Sequence, residues 1–212
     1  MRIALLSVAL AAAALLGAAA PAGAFSINFD GPGSNAEDFA PIGLAIGYGT
    51  FVPSLDEFGD PVPGTDHWEL DLTAGSVPVL DPSTVGWGDA PSLSKALDAR
   101  GGPILFVFDI TSDITNFSIT LDNSPLGDLF NTSIKFYDAA FGEIGSIDVD
   151  QSTPGYVASL ASVSGVKAIL LPPTAFYDNA TAGVTPVPEP GTYAVAFAVV
   201  GIALIHRMRR KA

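Results

Sequence analysis

Short apolar segments separated by turn signals fill the middle of this chain and constrain its fold more than any other feature. The run Ile104–Ile110 is almost wholly apolar and follows Gly101-Gly102-Pro103, which is typical of a buried central strand. Phe117, Ile119 and Leu121 alternate with polar residues, as in a strand with one wet face. Further segments recur at a spacing of roughly ten residues, which predicts an all-β sandwich or barrel: Ile134–Tyr137, Ile144–Val149, Tyr156–Ala161 and Val166–Leu171.

The preceding part of the chain is rich in glycine and proline and gives weaker signals. Ser26–Phe29 and His67–Leu72 are predicted as strands, and residues 30–66 and 73–100 as loop-rich connections. Leu93, Ala96 and Leu97 would share one face of a helix, so a short helix is predicted over residues 92–99.

Composition excludes several classes of function. The chain has no cysteine, which rules out disulfides, thiol catalysis and thiolate metal sites. Between residues 25 and 187, four cationic side chains stand against 21 carboxylates, a net charge of −17. Because such a surface repels phosphate groups, we expect no nucleic-acid partner. The same charge favours solubility and would attract divalent cations where carboxylates cluster.

The N-terminal residues 1–24 have the three parts of an export signal. Met1-Arg2 is a positive start, and Ile3–Ala20 is mostly apolar. Ala22 and Ala24 supply small residues at the −3 and −1 positions of a cleavage site. We therefore expect a signal peptide that is cut after Ala24, and export through the inner membrane. An uncleaved N-terminal membrane helix is the alternative.

The C-terminal residues 185–212 also have three parts. The motif Val187-Pro188-Glu189-Pro190-Gly191 cannot be helical because each proline fixes φ and removes an N–H donor. Thr192–Ile205 is apolar and, as a helix, would be about 21 Å long, short for a bilayer core of about 30 Å. A basic cluster then predicts a cytoplasmic end: Arg207, Arg209, Arg210 and Lys211. We expect a single hydrophobic helix with the proline motif just outside the membrane.

Residues 187–211 closely resemble the PEP-CTERM sorting signal of Gram-negative bacteria. The resemblance implies that an exosortase, a multi-pass membrane transpeptidase, recognises Pro188, Glu189 and Pro190 and processes the tail. It also implies that the inner membrane holds the protein until processing, after which the protein reaches the cell surface or the extracellular matrix. A role in biofilm or exopolysaccharide biology follows from the same resemblance. A plain C-terminal anchor is the alternative.

Residues 25–184 are long enough for one domain with its own core. Three parts of this region resemble the ectodomains attached to such tails: Ile27-Asn28-Phe29-Asp30, then Ile119-Thr120-Leu121 with Phe136-Tyr137-Asp138-Ala139, and finally Gly165–Ile169 leading to Tyr177-Asp178-Asn179. The resemblance implies a jelly-roll sandwich of the galactose-binding kind.

Catalytic residue types are scarce between the two terminal segments. His67 is the one imidazole of this region, and the Gly-x-Ser-x-Gly elbow of serine hydrolases does not occur. We therefore expect a structural or adhesive protein and not an enzyme. A secreted glycan hydrolase would need only two carboxylates and is kept as an alternative.

Binding residues can be named for two kinds of ligand. Trp87, which lies between two glycines, and Trp68 are candidates for stacking on sugars, as in a carbohydrate-binding module on the same scaffold. Covering the end of the sandwich is the alternative role for Trp87, and a place in the core is the alternative for Trp68. Calcium is the one candidate cofactor, with oxygen ligands from four residues: Asp30, Asp138, Asp178 and Asn179. Ordinary turn hydrogen bonds are the alternative for this group.

Overall fold

The computed structural model describes residues 23–87, 95–123, 132–149 and 155–187. Within these ranges the chain is all-β, as the sequence predicts, and every strand pair is antiparallel. The strands are β1 Gly23–Ile27, β2 Leu44–Val52, β3 His67–Leu70, β4 Val79–Leu80, β5 Ala96–Asp98, β6 Ile104–Asn123, β7 Thr132–Tyr137, β8 Glu143–Val149, β9 Tyr156–Leu171 and β10 Ala175–Pro186. Two short 3-10 helices, Ala36–Asp38 and Pro82–Val85, complete the described elements.

One antiparallel sheet contains these strands in the order β4-β5-β10-β6-β9-β7-β8. Strand β1 pairs with β10, β2 pairs with β6, and β3 pairs with β2. The long strands β6 and β9 form the centre of the sheet, and each pairs with neighbours in both of its halves. Because β6 and β9 run through the whole sheet, they connect two groups of shorter strands.

Strands β6 and β9 each correspond to two predicted strands. The sequence predicted separate strands before and after residues 111–116, and before and after residues 162–165, which include Ser164-Gly165. In the structure β6 runs for 20 residues and β9 for 16. The apparent interruptions are irregularities in the ladder, with register shifts between Val107 and Ser112. Bulges of this kind keep two strands paired while they bend. The turn residues therefore mark the bend of a continuous strand.

The alternation of side chains changes along β6 because of a second irregularity. Ile114 and Phe117 are both buried although they are three positions apart. Between them Asn116 has a φ of +51°, a left-handed conformation that asparagine tolerates better than most residues. A matching residue in β10, Asn179, has the same φ of +51°. The two bulges compensate, so the pairing of β6 with β10 continues on either side.

The helix predicted over residues 92–99 is wrong where the structure describes it. Ala96–Asp98 form strand β5, which lies between β4 and β10; residues 92–94 lie outside the described ranges. Successive side chains of a strand point to opposite faces, and both Ala96 and Leu97 are buried, so β5 is covered on its two faces. Three small or apolar residues had suggested a helical face, but tertiary pairing decided the conformation.

Strands β2, β4 and β10 were not predicted. Glycines interrupt β2 at Gly47 and Gly49 and β10 at Gly183, which lowers their apparent strand propensity. Each of these two strands is nevertheless held by two partners, β2 by β3 and β6 and β10 mainly by β1 and β6. Pairing on both sides compensates for the weak local preference.

The core lies between the two halves of the bent sheet. Phe117 in the second half of β6 contacts Phe136 of β7 edge to face, with ring centroids 5.2 Å apart. Phe136 pairs in register with β9, beside the first half of β6, so the two halves of β6 face each other across the core. Phe25 of β1 lies against Phe108 of β6 with tilted rings, their centroids 6.3 Å apart. One hydrophobic cluster therefore joins both halves.

The two ends of the described chain lie at the same end of the sheet. Gly23 pairs with Val184, and Pro186 pairs with Ser112. The last backbone hydrogen bond runs from the Val187 N–H to the Thr111 carbonyl, at 2.8 Å. We call this the proximal end. The opposite, distal end holds Tyr48, which lies close to Arg100 and Gly101.

Candidate functional site

A hairpin at the distal end carries three of the exposed large apolar side chains of the described chain, Phe51, Leu55 and Phe58. This hairpin arm consists of residues 49–70, with β2 and β3 paired from Gly49 opposite Leu70 to Val52 opposite His67. An isolated bridge between Leu55 and Pro61 continues it outward. The carboxylate of Asp56 closes the tip by accepting from the N–H groups of Phe58 and Asp60 at 2.8 and 2.9 Å. These hydrogen bonds lower the pKa of Asp56.

The base of the hairpin arm packs on the outer face of the sheet. Trp68 lies against Leu105, Leu170 and Tyr137 in a second apolar cluster, separate from the main core. A side chain could not replace the hydrogen of Gly49 without crowding, because a Cβ there would lie 3.3 Å from the Trp68 indole. Trp68 is half-buried, and these contacts make it the anchor of the arm.

Tyr137 links the same cluster to the neighbouring β7–β8 hairpin. Burial raises the pKa of the Tyr137 phenol, and the nearby Glu143 carboxylate raises it further. The ammonium of Lys135 and a hydrogen bond with Trp68 act in the opposite direction. Lys135 itself donates to Glu143 at 2.7 Å in an exposed ion pair, which raises the pKa of Lys135.

His67 lies on the other face of β3 from Trp68 and touches the turn between β7 and β8. The ring of Phe141 stacks on the imidazole, with centroids 4.0 Å apart and planes inclined by 30°. Phe141 holds a φ of +63°, which costs about 1–3 kcal/mol in a residue other than glycine. Strain of this kind is kept only where the surroundings impose it, and it is common at binding sites.

Hydrogen bonds fix the orientation of the His67 ring. Its Nε2 lies 2.7 Å from a carboxylate oxygen of Glu69, and its Nδ1 lies 3.3 Å from the hydroxyl of Ser54. The three residues resemble the Ser-His-acid order of a hydrolase. The Ser54 hydroxyl, however, has a shorter contact to the Thr65 carbonyl, 3.0 Å, to which it donates. With its proton committed there, Ser54 braces the arm and is not oriented as a nucleophile.

Trp87 lies in a different cluster at the distal end. Its ring meets Phe176 edge to face at 5.1 Å, and the guanidinium of Arg100 lies 5.6 Å from its centroid. Arg100 also lies over Phe176, at 5.2 Å, and donates to Asp98. Trp87 is thus half-buried by contacts within the domain. Its neighbour Gly88 lies outside the described residues.

Three of the four calcium candidates, Asp30, Asp178 and Asn179, lie in neighbouring segments, and the two aspartates accept hydrogen bonds from the backbone. Asp178 accepts from the N–H groups of Asn179 and Phe29, at 2.7 and 3.4 Å, and Asp30 accepts from the Lys95 N–H at 3.0 Å. The Lys95 ammonium donates to the carbonyls of Gly31 and Gly33 at 3.2 and 3.0 Å. The Lys95 ammonium therefore occupies the loop after Asp30, where its positive charge faces the backbone carbonyls.

The fourth candidate, Asp138, belongs to the turn between β7 and β8. Its carboxylate accepts from the N–H groups of Ala140 and Gly142, both at 2.8 Å. The structure thus gives Asp138 the turn-stabilising role that was the alternative to metal binding. In the part of the chain that the structure describes, no three His, Asp or Glu side chains are grouped as a metal site would require.

Most of the sorting residues lie outside the described ranges. These are Ala22, the motif residues Pro188, Glu189, Pro190 and Gly191, and the basic residues Arg207, Arg209, Arg210 and Lys211. Ala24 lies in β1 and Val187 follows β10 directly, so the sheet reaches both predicted boundaries. Among the described residues no helix has the length and apolar character needed to cross a membrane.

Comparison of the chain with protein-family models, with curated proteins and with solved structures found no match. The site therefore has to be interpreted from its own geometry. Sequence reasoning selected the two tryptophans but missed Phe51, Phe58 and Phe141, whose rings are more accessible. The available signal was an aromatic residue, Phe141, in the short connection between the predicted strands Ile134–Tyr137 and Ile144–Val149.

Proposed function

We propose that this protein is an exported, non-enzymatic surface domain that an exosortase sorts through its C-terminal tail. The observation that carries the proposal is the sequence of the tail, in which the proline motif, the apolar segment and the basic cluster follow one another in residues 187–211. After processing, the domain would reside at the cell surface or in the extracellular matrix. There it would serve a structural or adhesive role among exopolysaccharides.

The boundaries of the folded domain agree with this proposal. Phe25 is the first buried residue of the part of the chain that the structure describes, and it directly follows the expected cleavage site. Gly23 and Ala24, the two described residues before this site, are exposed, so neither of them contributes a side chain to the core. At the other end the Val187 N–H makes a sheet hydrogen bond, and Val187 directly precedes the Pro188-Glu189-Pro190 motif in the sequence.

The bent sheet is also compatible with the finer fold that the resemblance implies. We propose that residues 25–184 form a jelly-roll sandwich of the galactose-binding kind, in which β6 and β9 cross between two layers. The contact of Phe117 with Phe136 supports two layers that share one core. Both chain ends lie at the proximal end, so a domain held by its tail would direct the hairpin arm away from the membrane.

The intact mass of the protein recovered from its native host tests the proposal. A mass that begins at Phe25 and ends near Pro190 is expected, with any excess identifying the attached group. A protein that keeps residues 191–212 would have a permanent anchor, and the sorting proposal would then be wrong. A protein that keeps residues 1–24 would contradict the predicted cleavage by signal peptidase.

A further inference from the structure

A cleft with a volume of about 390 Å³, lined mostly by apolar residues, opens at the proximal end of the domain. We call it the proximal cleft. Its buried lining residues include Phe25, Leu44 and Phe108, which belong to the main core. Ile42 and Ile110 line the same cleft and are 106% and 47% exposed. Large apolar side chains that are exposed around one cleft in this way mark an interaction surface.

Ile42 lies at the corner of a tight turn. The turn is closed by a hydrogen bond from the Leu44 N–H to the Pro41 carbonyl, at 3.1 Å. Gly43 supplies the positive φ, +87°, at the third position of the turn. Turn corners usually carry proline, glycine, asparagine, aspartate or serine, each of which favours the turn conformation. An isoleucine in this place is left in water at a cost, and a partner that covers its side chain removes that cost.

The C-terminal tail begins beside this cleft. Pro186 is one of the lining residues. The Val187 N–H bonds to the carbonyl of Thr111 at 2.8 Å, and Thr111 directly follows Ile110 in the sequence. The predicted membrane segment begins at Thr192, five residues after Val187. Since five extended residues span at most about 18 Å, a tail that lies in the bilayer keeps the proximal cleft within about that distance of the membrane surface.

The wall of the proximal cleft does not share the strong negative charge of the domain. Asp109 is the one charged side chain among the described residues that line it. The ammonium of Lys167 lies beside this residue and donates to its backbone carbonyl at 2.8 Å. Cleavage after Ala24 would add the α-ammonium of Phe25, which is mostly protonated at pH 7. Lipid phosphates can therefore approach this end, although the net charge between residues 25 and 187 is −17.

We propose that the proximal cleft docks on the outer leaflet of the inner membrane while the tail is still attached. Ile42 and Ile110 enter the boundary between headgroups and acyl chains, where lipid covers apolar side chains. Docking keeps the Pro188-Glu189-Pro190 motif, which directly follows Val187, close to the bilayer in which the processing enzyme resides. The docking rests on the proposed function, because the tail brings the domain to the membrane, and it assigns the residues of the folded domain that touch lipid.

Site-directed fluorescence on the full chain tests the docking. The chain has no cysteine, so Ile42→Cys and Ile110→Cys each introduce a single site for a nitrobenzoxadiazole label. The protein is produced in a host that has no exosortase, so that its tail stays uncut. It is then reconstituted into vesicles of phosphatidylethanolamine and phosphatidylglycerol and floated on a density gradient. We expect both labels to emit at shorter wavelength on the vesicles and to be quenched by lipids that carry a nitroxide near the headgroup.

Phe58→Cys and Val157→Cys are the matched controls. Phe58 is 82% exposed in the hairpin arm, and Val157 is 53% exposed on β9, where it pairs with Thr120 at the other end of the sheet from the cleft. Labels at these two positions should stay in water and escape quenching. Thermal midpoints show whether each labelled protein keeps its fold. Should Ile110→Cys fail to fold, Ile42→Cys decides alone, because a fully exposed side chain contributes no buried surface to the domain.

Three results would overturn the docking. If the labels at positions 42 and 110 behave like the controls on floated vesicles, the tail tethers the domain without further contact. Labels that emit at shorter wavelength but escape quenching by lipid would assign the cleft to a contact between copies of the chain. Protein that does not float would remove the membrane-held tail from the proposed function, and the docking with it. Failure of the sorting proposal is detected separately by mass, because docking needs a tail in the membrane and not its cleavage.

Discussion

The guanidinium of Arg100 forms two hydrogen bonds with the carboxylate of Asp98, at 2.9 and 2.7 Å. Asp98 lies in β5 with only 7% of its side chain exposed, while Arg100 is 30% exposed. The hydrogen bonds to Asp98 raise the pKa of Arg100. This pair connects β5 with the Trp87 and Phe176 rings at the distal end.

Removal of Arg100 should therefore destabilise the domain. In Arg100→Met the buried carboxylate keeps its position but loses its charged partner, so we expect a loss of about 2–3 kcal/mol in the free energy of unfolding. Chemical denaturation followed by circular dichroism measures it. Lys135→Met is the control, since the exposed Lys135–Glu143 pair should contribute less than about 1 kcal/mol. If Arg100→Met and Lys135→Met lower the free energy of unfolding equally, burial of the Asp98 carboxylate does not determine the size of the loss.

Gly49→Val should loosen the hairpin arm from the sheet. A Cβ at this position already lies at 3.3 Å from Trp68 and at 3.5 Å from Leu105 and Leu170, and valine adds two methyl groups. We expect a loss of about 1–3 kcal/mol together with a red-shifted tryptophan emission. Gly145→Ala, which would meet Val163 at 3.4 Å, serves as the comparison and should change stability by less than about 0.5 kcal/mol. An unchanged emission in Gly49→Val would show that Trp68 does not anchor the arm.

Stability should fall in alkaline solution because of a buried tyrosine. Complete burial raises the pKa of Tyr177, whose hydroxyl donates to the Pro172 carbonyl at 2.7 Å. Above about pH 10 the unfolded chain releases this proton and the folded chain keeps it, so the free energy of unfolding decreases by up to about 1.4 kcal/mol per pH unit for this group. Below about pH 10 the Tyr177 phenol is protonated in both states, so it does not change the free energy of unfolding with pH.

Tyr177→Phe separates this contribution from that of other tyrosines. Burial also raises the pKa values of Tyr48 and Tyr137, so some alkaline loss should remain in the variant. We expect urea midpoints between pH 9 and pH 11 to fall less steeply in Tyr177→Phe than in the wild type. Parallel curves would exclude Tyr177 as a source of the alkaline loss.

Lys95 should stabilise the loop after Asp30 more than calcium does. Lys95→Met removes the ammonium from the carbonyls of Gly31 and Gly33, and leaving such acceptors without a donor costs about 1–3 kcal/mol. The wild type should show the same thermal midpoint in calcium and in EDTA, because a ligand that does not bind gives no stabilisation. A rise of several degrees with calcium would support the metal site predicted at Asp30, Asp178 and Asn179.

Glu189→Ala should leave the C-terminal tail uncut if the exosortase reads the proline motif. The mutant would then be recovered with the mass of residues 25–212, while the wild type ends near Pro190. Glu57→Ala provides the control, since Glu57 is an exposed carboxylate in the hairpin arm and does not belong to the motif. If Glu189→Ala matures to the same mass as the wild type, recognition of Glu189 by the exosortase is ruled out.

The sequence by itself determined that the described domain is all-β. It also located the strands whose apolar pattern and flanking turns are evident within a short stretch of sequence. Ile134–Tyr137 and Ile144–Val149 were predicted nearly to the residue, because each alternates and ends at a turn. The scarcity of catalytic side chains and the two terminal signals are likewise properties of the sequence, although the terminal signals remain predictions.

Only the tertiary structure decided how the segments combine. It joined four predicted strands into β6 and β9, because a bulge preserves pairing through residues that locally resemble a turn. It made Ala96–Asp98 a strand, since pairing with β10 on one edge and β4 on the other outweighs a weak helical pattern. It also placed Phe141 on His67, a contact between residues far apart in sequence. Local patterns report the preferences of single segments, whereas such contacts arise from the packing of many segments at once.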